Sequence, residues 1–338
     1  MNLRLSRRVL IVVLLVAVVA VGLLAYWRAP QEPAIAPDEF SGPMALEYAK
    51  AQMAFGPRPT GSDANRKTGD YILGELERQG WQTETQEFAY HDTLVRNIIG
   101  KAAVGRGPVV IVGAHYDTRM RADEDPLNPT APVPGANDGA SGVAVLLELA
   151  HSLDGASLHN EIWLAFFDAE DNGGIEGWSW IVGSTYMAEH LTATPQSMIL
   201  VDMIGDADQQ IYMDRSSNRE LSAQLFQIAA DLGYGEHFIP VPKYTMIDDH
   251  TPFASRGIPA VDLIDFDYPY WHTTADTIDK ISADSLERVG RTLQAFLENQ
   301  ATDVSAGTSP PLLPQDHSHR LPQDFSLRLS QLSSNRPE

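Results

Sequence analysis

A succession of short, strongly apolar runs broken by amphipathic stretches constrains this chain more than any other feature. "PVVIVGAHYD" from Pro108 is a nearly continuous apolar strand of the kind found at the covered centre of a sheet. "EIWLAFFDAE" from Glu161 reads as a second buried strand, and "SMILVDMIG" from Ser197 and "PAVDLID" from Pro259 as two more. Between them the period changes to helical, near Val143 to Leu153 and Ile181 to Leu191. A last amphipathic helix places Leu286, Val289, Leu293, Phe296 and Leu297 on one face. Upstream, helices are predicted around Met44 to Met53 and Asn65 to Gln79, separated by the turn-rich "FGPRPTGS". Strands follow at "WQTETQEFAY" and "VRNIIGKAAV". Alternation in this order, without an internal repeat, predicts one α/β domain.

The two ends differ from this middle. Val9 to Trp27 carries no charge, follows Arg4, Arg7 and Arg8, and closes on Tyr26 and Trp27. That predicts a transmembrane signal anchor and a single-pass, membrane-anchored protein with its folded domain extracytoplasmic. The predicted organisation is residues 1–28 as cytoplasmic stub and anchor, 29–42 as linker, 43–300 as the folded domain, and 301–338 as a disordered tail.

With 45 Asp plus Glu against 24 Lys plus Arg, a net charge of -21, the surface repels phosphate backbones, so nucleic acid is not an expected partner. The chain has no cysteine, which leaves His and carboxylates as its only metal ligands. Such groups stand at the ends of the predicted strands or in the turns after them: His115, Asp138, Glu170 with Asp171, Asp202 and His272. Open α/β sheets build their sites there. Singly, each of these residues is more often a solvated or capping group, and it is their joint occurrence that points to a metal. They could serve one zinc site or two sharing a carboxylate. The adjacent Glu170 and Asp171 suit a division in which one binds metal and the other moves protons.

"FGPRPTGS", "GAHYDTR", "GANDGASGVAVLLELA", "FFDAED", "VDMIGD" and "WHTTADT", in this order from Met44 to Asn299, resemble the zinc aminopeptidases with a co-catalytic metal pair and their relatives, the animal-type (type II) glutaminyl cyclases. "DDHTPF" from Asp248 and Trp271 before His272 resemble the cyclases, and "EDNGG" followed by "WIVGSTYMA" their bacterial members. The resemblance implies a three-layer α/β/α fold around a central twisted mixed β-sheet. It implies zinc held by Asp138, Asp171 and His272, with His115 and Asp202 at the positions of a second metal. One zinc is expected and two are permitted. Glu170 is implied as proton shuttle, Asp248 as a second catalytic carboxylate, and Trp271 with Trp180 or Trp178 as substrate-binding walls. Asp171 stands where animal cyclases have Glu, so backbone position must compensate its shorter arm.

The implied reaction converts the N-terminal Gln of peptides to pyroglutamate with release of ammonia, and the substrates are peptide or protein N-termini. The alternative is aminopeptidase hydrolysis. A non-catalytic binding ectodomain would have been expected to lose at least one of these residues. On blander readings Trp271 is a core aromatic, Asp248 and Asp249 cap the helix that "DDHTPF" begins, and His250 bonds to backbone.

Overall fold

The computed structural model of the chain describes residues 39–299. Six strands form one mixed sheet in the order β1-β2-β4-β3-β5-β8. These are β1 (Gln82–Tyr90), β2 (Thr93–Ala102), β3 (Val109–His115), β4 (Glu161–Phe167), β5 (Ser197–Asp202) and β8 (Ala260–Ile264). β1, β2 and β4 are antiparallel neighbours, whereas β4, β3, β5 and β8 run parallel. The parallel half carries the unbroken apolar runs, because crossover helices cover both of its faces. Along β3, Val110, Val112 and Ala114 enter one core, while Val109 and Ile111 enter another.

The larger core is closed by α1 (Gly42–Met53), α2 (Asp63–Arg78), α3 (Ala140–Ser152), α5 (Arg219–Asp231) and α7 (Ala283–Asn299). The smaller lies under α4 (Val182–Glu189) and α6 (Thr251–Ala254). A sheet covered on both faces is the three-layer arrangement expected. The sequence reading did not include α5 or the two-stranded pair of β6 (Ile211–Met213) with β7 (Phe238–Pro242). The Asn218 side chain, which accepts from the Leu221 N–H, is the signal that would have found α5. Phe40 is buried in the larger core, so the packed body reaches into the segment read as a linker.

The expectation of a membrane-anchored chain is corrected. No helix among the described residues is long and apolar enough to cross a membrane. α3, buried on nearly every side, spans 13 residues against the ~20 that a bilayer requires. The run from Val9 to Trp27, on which the expectation rested, lies outside the described residues, as do residues 301–338.

Candidate metal centre and active site

Because β3, β4, β5 and β8 are parallel, their carboxyl ends share one edge of the sheet. His115 is the last residue of β3, Asp202 the last of β5, and Glu170 and Asp171 follow β4. Asp138 precedes α3, and His272 lies in the loop after β8. Five side chains distant in sequence thereby form two buried groups whose ligand atoms lie within 4.8 Å of one another: His115, Asp138 and Asp202; and Asp138, Asp171 and His272.

Asp138 belongs to both. Its Oδ1 is 3.1 Å from His115 Nε2, and its Oδ2 is 3.7 Å from His272 Nε2. His115 Nε2 is also 3.1 Å from Asp202 Oδ1, and His272 Nε2 is 3.0 Å from Asp171 Oδ1. Asp171 Oδ2 is buried with no hydrogen-bond partner, the state of a ligand atom awaiting a cation. Two carboxylates and an imidazole converging in a buried site fit zinc in a cysteine-free chain.

Burial and the neighbouring Arg119 push the His272 imidazole down to about 3, so it is neutral and free to ligate. His115 moves the other way. Burial opposes its charge, but Asp202, Asp117 and Asp138 outweigh burial and hold it well above its ordinary value. Burial and then Asp138 raise Asp171 well above the carboxylate range.

Residues that the sequence reading did not single out hold these ligands in place. Asp117 accepts the backbone N–H groups of Glu170 (3.1 Å) and Asp171 (3.3 Å), and its Oδ1 lies 3.6 Å from His115 Nδ1. Asp276 accepts from the backbone of Asn137 (2.8 Å) and Asp138 (3.2 Å), fixing the loop that presents Asp138. Arg58 of "FGPRPTGS" is fully buried and donates to the carbonyls of Gly135 (2.6 Å) and Pro134 (3.1 Å) in the same loop. These explain why the motifs extend beyond the ligands: "HYD", "TAD" and "PRP" each contain a supporting residue. Gly139 is required by close approach, since a Cβ there would lie 2.6 Å from the His115 ring. His272 has φ +54, a left-handed conformation that a non-glycine residue keeps only where its surroundings dictate it.

Glu170 is buried, and burial followed by Asp171 and Asp248 raises its carboxyl well above the ordinary range. His115, which faces it electrostatically, opposes that rise. Asp248 is raised by burial, then by Asp202 and Asp249. Neither Asp248 nor Asp249 caps α6, which has no side-chain cap. His250 meets Ser216 Oγ at 3.1 Å instead of backbone.

The tryptophans separate. Trp271 stacks on His272 at 3.7 Å between centroids, lies edge-on to Phe266 and is half-buried, packed against the small core of Met203, Ile264 and Tyr268 as well as beside the site. Trp180 is parallel to His272 at 5.9 Å. Trp178 packs on Tyr90 and His91, at the β1–β2 turn. Of the two, Trp180 is the one that lies beside His272.

Comparison with known proteins places this arrangement. The mouse glutaminyl-peptide cyclotransferase-like protein is 25% identical over 283 residues, covering 71% of each chain. Among solved structures, the Bacteroides thetaiotaomicron glutaminyl cyclase bound to N-acetylhistamine matches with a TM-score of 0.74 and 31% identity, over 78% of this chain and 99% of that one. A Zn-dependent exopeptidase from Parabacteroides distasonis matches with a TM-score of 0.74 and 34% identity, over 78% of this chain and all of the other. Since the profile of peptidase family M28 matches residues 97–297, more than half of the sequence and every proposed ligand, the chain belongs to that family.

Proposed function

We propose that this protein is a zinc-dependent glutaminyl cyclase, with Asp138, Asp171 and His272 as the ligands. The observation that carries the reading is the buried triad with Glu170 directly before Asp171, and the indoles of Trp271 and Trp180 both lying near-parallel to the ring of His272. The structural relatives named as glutaminyl cyclases support it. Zinc, when bound, supplies a Lewis acid for the side-chain amide carbonyl of an N-terminal Gln. The substrate's own α-amine is the nucleophile, so the enzyme's task is positioning.

Trp271 and Trp180 wall the folded-back Gln and exclude water. Glu170 takes the proton from the α-amine and returns it to departing ammonia; its burial raises its proton affinity, which suits a group that must accept one. Asp248 receives a hydrogen bond from the amide nitrogen as the carbonyl carbon becomes tetrahedral. The catalytic domain of this reading is residues 43–300, with Phe40 packed against it.

One observation favours a second reading. The two oxygens of Asp138 face different histidines, the geometry of a carboxylate shared by two metals. With such a pair, Glu170 would be the base for a water attacking the first peptide bond. Incubating the purified chain with Gln- and Leu-initiated peptides and resolving products by mass separates the two. Loss of ammonia from Gln-peptides alone supports cyclisation; release of Leu without pyroglutamate overturns it.

A further inference from the structure

Four residues past His115, on the loop that leaves β3, the guanidinium of Arg119 is 4% exposed and joins four features of the centre. It forks onto Asp123, with Nε donating to Oδ1 and Nη2 to Oδ2, both at 2.6 Å. Nη1 donates to the carbonyl of Asp171 at 2.8 Å and lies 3.8 Å from Asp171 Oδ1. Nη1 and Nη2 both reach the Gly173 carbonyl at 3.3 Å. The guanidinium carbon lies 4.7 Å from the Trp180 ring centroid. Trp180 in turn occupies the space of a missing side chain, since a Cβ on Gly173 would lie 2.0 Å from it.

Asp123 closes the circuit. Its Oδ1 is 3.6 Å from His272 Nδ1, while the opposite nitrogen, Nε2, is 3.0 Å from Asp171 Oδ1. The contacts run from Arg119 to Asp123, to His272, to Asp171 and back to Arg119, with Trp180 laid across the guanidinium and parallel to His272.

We infer that Arg119 and Asp123 are a positioning pair for the zinc ligands, setting the tautomer of His272 and the reach of Asp171. The inference rests on Asp138, Asp171 and His272 being those ligands. A carboxylate facing Nδ1 favours the tautomer with the proton there, leaving the Nε2 lone pair on the side of Asp138 and Asp171. The short arm of Asp171 is met by holding its backbone: Arg119 takes its carbonyl and Asp117 its N–H. A lysine in place of Arg119 would keep the charge but could not fork onto Asp123 while reaching two carbonyls.

The test uses the full chain in its zinc and zinc-free forms. Zinc affinity is read by competition with a chromophoric chelator, beside the melting temperature of the zinc-free protein and kcat and KM on a Gln-peptide. Asp123→Asn removes the charge of a side chain that is 44% exposed while keeping its size, so the fold should stand. We expect zinc affinity to fall about 10-fold, with the zinc-free melting temperature unchanged and kcat reduced more than KM is raised. Arg119→Gln should cost about 100-fold in affinity, and Arg119→Lys should recover little of it.

Wild-type zinc affinity in both Asp123→Asn and Arg119→Lys overturns the inference. So does an affinity loss in Asp123→Asn matched by a fall in zinc-free stability, which would make the pair a loop clamp. If Arg119→Gln does not fold, Asp123→Asn still decides. Zinc affinity is read whatever the reaction, so a chain that releases Leu without forming pyroglutamate would sink the cyclase reading and leave this one standing.

Discussion

The two halves of the centre share Asp138 yet are built oppositely. In one, His272 lies against two indoles and near Arg119, and its imidazole is held neutral at an ordinary working pH. In the other, His115 is surrounded by Asp117, Asp138 and Asp202, which raise its proton affinity against the effect of burial. The first half offers the lone pairs of a neutral imidazole, with the Arg119 guanidinium 3.8 Å from Asp171 Oδ1. The second sets an imidazole of raised proton affinity among three carboxylates. A zinc entering the first half completes it, whereas one entering the second must compete with a proton that three carboxylates favour. The difference teaches that five ligand-type residues need not mean two metals, because a histidine can stand in for the missing charge.

The largest expected effects come from cutting the first half. Asp171→Ala should lose both zinc and activity, because the two remaining ligands do not close a site. Glu170→Gln should keep zinc content and melting temperature near wild type while turnover falls by about two or more orders of magnitude. Metal analysis beside turnover reads the pair. A Glu170→Gln protein that loses its zinc means the two carboxylate roles are reversed.

Cutting the second half should do less. With one zinc bound, Asp202→Asn should leave a metal content near one per chain and lower kcat by about 10-fold, because His115, which also contacts Asp138, loses a charged partner. Metal content is the deciding measurement. A wild-type content near two that drops to one in this variant, with activity following it, would give the second half its own metal and favour hydrolysis.

How much of this contrast was legible in sequence follows from what each residue's role depends on. The parallel strands were legible because burial on both faces removes the alternation of a half-solvated strand. The clustering of His115, Asp138, Asp171, Asp202 and His272 was legible because parallel strands deliver their ends to one edge. Asp117, Asp276, Arg58 and Arg119 were not, since their roles lie in hydrogen bonds to backbone amides and carbonyls up to 139 residues away, and a lone Asp or Arg carries no mark of such a partner. Trp178 and Trp180 were indistinguishable for a related reason. Two residues apart in a loop with Gly173, Gly174 and Gly177, their directions depend on what each meets, His91 in one case and His272 in the other.

That last pair yields a smaller effect. Trp180→Ala should raise KM for Gln-peptides about 10-fold, by removing a wall of the pocket and a face from His272. Trp178→Ala should change KM by less than about two-fold and cost stability alone, since it packs on the β1–β2 turn. Steady-state kinetics on both variants checks it, and equal KM effects would move the wall to the whole loop.

The smallest effect tests the charge contrast itself, in zinc-free protein, through the pH dependence of stability. His272 has a folded value of about 3, below the ~6.5 of an unfolded histidine, so the unfolded chain binds the extra proton between these limits. Its contribution is therefore a stability loss that is absent above about pH 6.5 and grows as pH falls toward 3. Removing the ring should blunt the loss, and His272→Gln should gain on wild type by a few degrees in melting temperature between pH 6.5 and 5. His115 has the opposite sign. Its folded value is raised, so its stabilisation is full below about pH 6.5 and is lost as pH rises through the folded value. The deficit of His115→Gln against wild type should accordingly be full from pH 5 to about pH 6.5 and narrow only as pH rises through the folded value. Melting curves of the three zinc-free proteins from pH 5 to 9 read both trends. If the two variants diverged from wild type in the same direction as pH fell, the two histidines would share one charge state and the contrast between the halves would fail.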